Sequence, residues 1–329
     1  MVHLNLAGEP LKPWQGWANP SAVSGPESTA QASLDPELRA GDTAPSAASP
    51  QSASTLEPAA IEAVLFDKDG TMSHSEPMLE ALATARVFHC LEALDGQELP
   101  ERRAVLEDLL RRAYGLTPSG IHPAGTTAVA SREHNLISTA TAFAMVGLGW
   151  PDAQALSEEV FARTDALHGQ GSNHRPQPTE GLAELLGRLS DAGLRCAVIS
   201  NDHEQGIHAF LAIHGLEHHF QAFWSAEHRP CKPHPDAVHG VCRELGIAAG
   251  RCALIGDANS DLRMARAAGV PVVLGYRAGW KQPPPLDPDV PLIHHWDELT
   301  VGSSNPGGVV SMGTIQADAD AIGSASVSA

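Results

Sequence analysis

Apolar positions along the chain change rhythm twice. Residues 18–60 are dominated by Ala, Ser, Pro and Gly with almost no periodic apolar spacing. They bury too little to offset the entropy of ordering them, so a disordered leader is expected over 1–60. From Ile61 onward, apolar runs alternate with helical patterns. Ile61 to Phe66 is a short apolar run that reads as a buried strand. Leu182, Leu185, Leu186 and Leu189 recur at helical spacing within 178–192, and Gly193 closes that helix. A strand follows over Leu194–Ile199, a helix over 203–215, a strand over Phe220–Trp224 and a helix over Pro235–Leu245 ended by Gly246. Cys252–Ile255 and Val270–Leu274 are two further strands, with a helix over Asn259–Ala268 between them. Strands alternating with helices predict a parallel α/β sheet covered on both faces.

One stretch breaks this alternation. Within 76–175, Leu79, Leu82, Val87 and Leu91 mark one helix, Val105, Leu106, Leu109 and Leu110 mark another, and no strand pattern occurs. A helical body is therefore expected to be inserted between the first and second strands, dividing the core into 61–75 and 176–300. After about residue 301 the chain is again Gly-, Ser- and Ala-rich, and a disordered tail is expected over 301–329.

Charge narrows the partners. With 21 Lys and Arg against 39 Asp and Glu, the formal net charge is −18. That argues against a nucleic-acid or anionic-membrane surface, which needs clustered basic residues. The longest apolar stretch, near Ala140–Leu148, is too short to span a bilayer. The five cysteines form no C-x-x-C pair, and the start of the chain lacks the pattern of a secretory signal, so a reducing, cytoplasmic setting is expected. Cys196 and Cys252 read as small buried hydrophobes.

The candidate chemistry sits at strand ends. Asp67-Lys68-Asp69-Gly70-Thr71 follows the first strand directly. In an extended chain, residues i and i+2 share a face, so Asp67 and Asp69 can converge on one ligand, and Gly70 permits a sharp turn. Paired carboxylates repel, and a hard divalent cation would stabilise them. Asp257 and Asp261 follow the fourth strand and are placed to complete a magnesium site with Asp67. Ser200-Asn201 after the second strand offers a hydroxyl and backbone N–H groups as a phosphate cradle, and Lys232-Pro233 follows the third. Singly, each has an ordinary reading. The Asp-x-Asp-Gly segment is compatible with a solvated turn, Ser200 with a helix cap, Lys232 with a surface charge, and the two later aspartates with a loop and a helix dipole.

As a set, Asp67-x-Asp69-Gly70-Thr71, Ser200, Lys232-Pro233 and Gly256-Asp257-x-x-x-Asp261 resembles the four motifs of the haloacid dehalogenase superfamily over about residues 61–300. Ser75-Glu76 and Lys232-Pro233-His234-Pro235-Asp236 resemble its phosphoglycolate-phosphatase-like branch. The resemblance implies a Rossmann-like parallel sheet with an inserted α-helical cap at 76–175. It implies a Mg²⁺-dependent phosphatase acting on a small phosphorylated metabolite such as phosphoglycolate, a sugar phosphate or a nucleotide. Asp67 would be the nucleophile that forms an aspartyl-phosphate, and Asp69 the general acid and base. Asp67, the Asp69 carbonyl and Asp257 would hold Mg²⁺, with Asp261 acting through water. Gly70, Ser200, Asn201 and Lys232 would bind the phosphoryl group.

Alternatives within the fold are ranked by residue type. A dehalogenase would lack the second aspartate. No lysine lies between Lys68 and Lys232, which places a phosphonatase, and then a sugar-phosphate mutase, below hydrolysis. A catalytically silent binding protein would not need all four acids. Lys68 stands where the family more often has an apolar residue. Strand geometry predicts that it points away from the carboxylates as an exposed or snorkelling ammonium. His74, His134, Arg132 and Arg163 are candidates for contact with the rest of the substrate.

Overall fold

The computed structural model describes residues 61–94, 100–169, 175–301 and 312–314. The expected leader and most of the expected tail lie outside the described residues.

Strand β1 (Ala63–Phe66) is buried at all four positions. Val64 and Phe66 enter the core on one side of the sheet, and Ala63 and Leu65 enter it on the other. A strand covered on both faces needs apolar residues at every position, which is why its sequence shows a run and not an alternation. A two-residue strand β2 (Ser73–His74) leads into the insertion. There α1 (Glu76–Ala93) and α2 (Pro100–Tyr114) are followed by a small hairpin, β3 (Leu116–Thr117) and β4 (Gly120–Ile121). Then come α3 (Thr126–Val129), α4 (Arg132–Met145) and α5 (Trp150–Gly169). The hairpin corrects the expectation of a purely helical stretch, since strands of two residues carry no readable period. The chain leaves through β5 (Gln177–Pro178), which pairs antiparallel with β2, so the two connections run side by side.

The remaining elements build the sheet. They are α6 (Leu182–Asp191), β6 (Arg195–Ile199), α7 (Glu204–Ile213), β7 (Phe220–Trp224), α8 (Pro235–Leu245), β8 (Cys252–Gly256), α9 (Asn259–Ala267), β9 (Val272–Tyr276) and β10 (Leu292–Ile293). Helix α6 starts four residues later than its apolar pattern suggests, because Gln177–Pro178 is taken by β5 and Gly181 turns the chain at φ +81°. Strand β11 (Leu299–Val301) pairs antiparallel with β12 (Met312–Thr314).

The sheet order is β10-β9-β8-β1-β6-β7, with every pairing parallel. The chain winds outward from β1 through β6 to β7, then returns to the other side of β1 for β8, β9 and β10. The carboxyl end of β1 is thus the point where strand order reverses, the position at which open α/β sheets form their ligand crevice. One face is covered by α6 and α7 through Leu182, Leu185, Leu186, Leu189, Ile207, Phe210 and Leu211. The other is covered by α8 and α9 through Val238, Val241, Leu245, Leu262 and Ala265. The insertion has its own apolar cluster, including Leu79, Leu106, Leu110, Leu136, Phe143 and Phe161. Trp280, from the loop after β9, belongs to that third cluster. Among the described residues, no helix is long and apolar enough to cross a membrane.

Candidate active site

Asp67 is aimed by the sheet. Its N–H donates to the Ile255 carbonyl at 3.0 Å, extending the β1–β8 ladder by one residue. The chain then turns at once: Gly70 N–H donates to Ser73 O at 2.9 Å and Ser73 N–H to Lys68 O at 3.0 Å. Gly70 has φ +82°, and a methyl group there would overlap the Trp280 indole and the Asp257 carboxylate. Glycine is thus required by conformation and by space.

Asp257 emerges from the end of β8, and Asp261 lies in the first turn of α9. Oxygens of Asp67, Asp257 and Asp261 all lie within 4.8 Å of one another, and all three residues are buried. Lys232 is 2% exposed, so it is not a surface charge. Its ammonium is 2.6 Å from Asp67 Oδ1 and 3.0 Å from Asp261 Oδ2, and it donates to the Ile199 carbonyl at 3.0 Å. The three N–H bonds of the ammonium are thereby matched by three acceptors. Asp257 is held separately: Thr71 Oγ1 donates to Oδ1 at 3.0 Å and Trp280 Nε1 to Oδ2 at 2.6 Å.

Three carboxylates meet one ammonium here, leaving two negative charges in excess. Burial first, then the Asp67 carboxylate, pushes the Asp257 carboxyl well above its ordinary range. Burial likewise raises Asp261 to about 6, against the opposing pull of Lys232. Burial disfavours the Lys232 ammonium, yet Asp261 and Asp67 outweigh it and hold its pKa above the ordinary lysine value. An all-oxygen donor set with two uncompensated charges fits a hard divalent cation, so Asp67, Asp257 and Asp261 are the residues that could hold one.

Asp69 contributes no carboxylate oxygen to that group; the resemblance assigns its main-chain carbonyl to the ion. Its side chain turns toward Lys68, and here the strand-based expectation for Lys68 fails. Lys68 is 2% exposed, with its ammonium 2.6 Å from Asp69 Oδ1 and 3.1 Å from Asp202 Oδ2. The reason is that β1 ends at Phe66 and the following residues form a turn, so the two-residue alternation of a strand no longer applies. Ser75 Oγ also donates to Asp69 Oδ1, and Ser73 Oγ lies 3.5 Å from the same oxygen. Burial would raise the Asp69 carboxyl, but the Lys68 ammonium and the Ser75 hydroxyl hold it below the usual carboxylate range.

Ser200 is buried, and its hydroxyl accepts from Asp202 N–H at 3.1 Å. It does not cap a helix, since α7 is preceded by His203. The cradle expected of this turn is narrower than the sequence suggests. Ser200 N–H donates to the Trp224 carbonyl at 2.8 Å, and Asp202 N–H is spent on the Ser200 hydroxyl. Asn201 reaches the insertion, with Nδ2 donating to the Val129 carbonyl at 2.9 Å, while its buried Oδ1 has no protein partner.

The candidate substrate contacts of the insertion are not brought to this centre. Arg132 Nε is 2.6 Å from Asp165 Oδ2, and Arg163 is 3.5 Å from Glu92, so both serve ion pairs within the insertion. His134 is exposed. His74, just before the insertion, is the exception: its Nδ1 lies 3.3 Å from the carbonyl of Gly279, a residue packed against the Gly70 backbone. Two contributors escaped the sequence reading. Trp280 lies far along the chain in a loop with no motif of its own. Asp202 directly follows Ser200-Asn201, but only folding shows that it faces Lys68.

Residues 61–269 match the family described as haloacid dehalogenase-like hydrolase. A phosphoglycolate phosphatase of Thiobacillus denitrificans is 27% identical over 229 residues, covering 68% of this chain and 87% of that one. One from Xanthomonas campestris pv. campestris is 28% identical over 232 residues, covering 69% and 90%. The crystal structure of a predicted phosphoglycolate phosphatase from Haemophilus somnus is similar in fold, with a TM-score of 0.51 at 19% identity over 70% of this chain and 93% of that one. The family match takes in β1, the whole insertion and the strands that supply Ser200, Lys232, Asp257 and Asp261, and with it the chain belongs to the haloacid dehalogenase-like hydrolases.

Proposed function

We propose that the protein is a Mg²⁺-dependent phosphatase that hydrolyses the phosphate monoester of a small metabolite, with Asp67 as nucleophile and Asp69 as general acid and base. The observation that carries this reading is the buried group of Asp67, Asp257 and Asp261, joined by Lys232, at the reversal point of the sheet. The phosphoglycolate phosphatases among its relatives favour phosphoglycolate or a similarly small phosphate ester as substrate. The free state of all five cysteines fits action in the cytoplasm.

In the first half-reaction, a carboxylate oxygen of Asp67 forms a bond to phosphorus as the ester P–O bond breaks. The electron pair moves to the leaving oxygen, which takes a proton from Asp69. In the second, a water oxygen bonds to phosphorus, its proton passes to Asp69, and the bond to Asp67 breaks to release phosphate. Lys232, exchanging one of its carboxylate acceptors for a phosphoryl oxygen, and the Ser200 hydroxyl hold the phosphoryl group as charge moves across it, which is where most of the acceleration arises. A divalent ion held by Asp67, Asp257 and Asp261 supplies the positive charge that lets a phosphate dianion approach three carboxylates. The insertion, by covering the crevice, excludes bulk water.

The test is phosphate release from p-nitrophenyl phosphate and from a panel of phosphoglycolate, sugar phosphates and nucleoside monophosphates, with Mg²⁺ and with EDTA. Activity is expected only with the metal and to be lost in Asp67→Asn. Equal rates for wild type and Asp67→Asn would remove Asp67 as nucleophile, and a wild type inactive on the whole panel would favour a silent binding protein.

A further inference from the structure

The chain contains four lysines, and two of them, Lys68 and Lys232, are buried around the same crevice. Lys232 is explained by the Asp67–Asp261 pair. Lys68 touches neither, and it is costly where it stands: an ammonium taken out of water loses its hydration unless its partners replace it. An apolar side chain would fill the same volume without that cost. What Lys68 gains is a pair of carboxylates from two different loops: Asp69, in the turn after β1, and Asp202, in the turn after β6. Asp202 is itself fixed, because its Oδ1 accepts from His203 N–H at 2.8 Å and its own N–H donates to the Ser200 hydroxyl at 3.1 Å. The Phe210 ring lies 5.8 Å from the ammonium and closes its apolar side.

The effect on Asp69 is specific to one oxygen. Lys68 and Ser75 both direct donors at Oδ1, with Ser73 Oγ 2.6 Å from Ser75 Oγ behind them, and among the described residues none donates to Oδ2. An oxygen that already accepts from an ammonium and a hydroxyl is a poor place for a proton, so the exchangeable proton of Asp69 resides on Oδ2. Without Lys68, the carboxyl would be held by the Ser75 hydroxyl alone, which rotates, and either oxygen could face the ester.

We infer that Lys68 is a positioning residue for leaving-group protonation. It pins Asp69 Oδ1 to the Asp202 loop and leaves Oδ2 as the atom that exchanges the proton. The inference rests on the phosphatase reading above, and leaving-group chemistry tests it. A p-nitrophenolate ion departs without help, whereas an alkoxide must be protonated as it leaves, so in the first half-reaction only the alkyl ester depends on where the Asp69 proton sits; the water step that follows is common to both esters.

The experiment compares kcat and KM of the full-length protein on p-nitrophenyl phosphate and on the best alkyl phosphate of the panel, for wild type, Lys68→Met, Asp202→Asn and Asp69→Asn, with Mg²⁺ present. Folding is checked by thermal melting. For Lys68→Met, kcat/KM, which reports only the steps up to departure of the leaving group, is expected to fall ~10²-fold on the alkyl ester and by less than ~10-fold on p-nitrophenyl phosphate, within the range that general acid catalysis contributes. KM should change little for either. Asp202→Asn should show the same selectivity at smaller size, and it decides the matter if Lys68→Met does not fold. Losses equal on the two esters, or no loss on either, overturn the inference while leaving the phosphatase reading intact. A wild type that turns over neither ester overturns both.

Discussion

Asp257 and Lys232 make opposite predictions from the same cluster. Asp257 is a buried carboxylate that Lys232 does not contact, beside two others. In metal-free protein, Asp257→Asn is expected to raise stability by about 1 kcal/mol, or roughly 2–4 °C in Tm. The amide still accepts from Trp280, and the Thr71 hydroxyl can rotate to accept from it. The same variant should lose most of the thermal shift that Mg²⁺ gives wild type, as read by melting with and without the ion. Lys232→Met does the reverse. It leaves three carboxylates uncompensated and should lower stability by about 3–5 kcal/mol in EDTA, as measured by urea unfolding. Both experiments report on charge, because neither side chain is part of a packed apolar cluster. At this scale, much of the candidate site could be read from the sequence: Asp67, Ser200, Lys232, Asp257 and Asp261 each follow an apolar run at a strand end. Lys68 departs from the pleat-based expectation because β1 ends at Phe66 and the alternation of a strand does not extend into the turn. Trp280 is not legible in the sequence, because no local pattern links an indole after β9 to a carboxylate after β8.

Elements with a clear period were legible, and those too short to have one were not. Strands β6, β7 and β8 and helices α8 and α9 lie within a residue or two of where the apolar spacing places them. β10 and the β3–β4 hairpin are two residues per strand, held by neighbours and not by their own sequence. The turn after β1 is the element most sensitive to a small change. Gly70→Ala has to place a methyl where Trp280 and Asp257 already are, at a φ that costs an L-residue about 1–2 kcal/mol before any clash is counted. A loss above that figure in urea unfolding, together with loss of activity, is the expected outcome. By contrast, Gly193→Ala, at φ +75° with nothing within 4 Å of the added carbon, should show only the conformational cost.

For the whole molecule, the net charge of −18 and the local site pull in opposite directions. An anionic substrate approaches a repelling surface and then meets Lys232 and a bound cation. Since the Debye length falls from about 30 Å at 0.01 M to about 8 Å at 0.15 M salt, added NaCl should raise kcat/KM by weakening the repulsion, with kcat nearly unchanged. A falling kcat/KM would mean that local positive charge governs the approach instead. The parallel sheet with acidic residues at the carboxyl ends of its strands is legible in the alternation of runs and helices, whereas the central place of β1 is shown only by the fold. The same holds for the way the insertion is fastened. Side-chain and backbone contacts far apart in sequence, such as Lys281 N–H to Glu76 at 2.9 Å and Asn201 to Val129, make that junction.

Trp280 gives this junction a built-in optical gauge. Its ring is seated among the side chains of the helical insertion, while its N–H grips one of the carboxylates offered to the cation. Indole emission responds to a hydrogen-bonded charge and to loss of surrounding apolar packing, so the arrival of an ion at Asp257 or a rotation of the insertion should each alter the spectrum. A change in emission on adding Mg²⁺ to wild type that disappears in Trp280→Phe would make metal occupancy readable by fluorescence, without a substrate or a label.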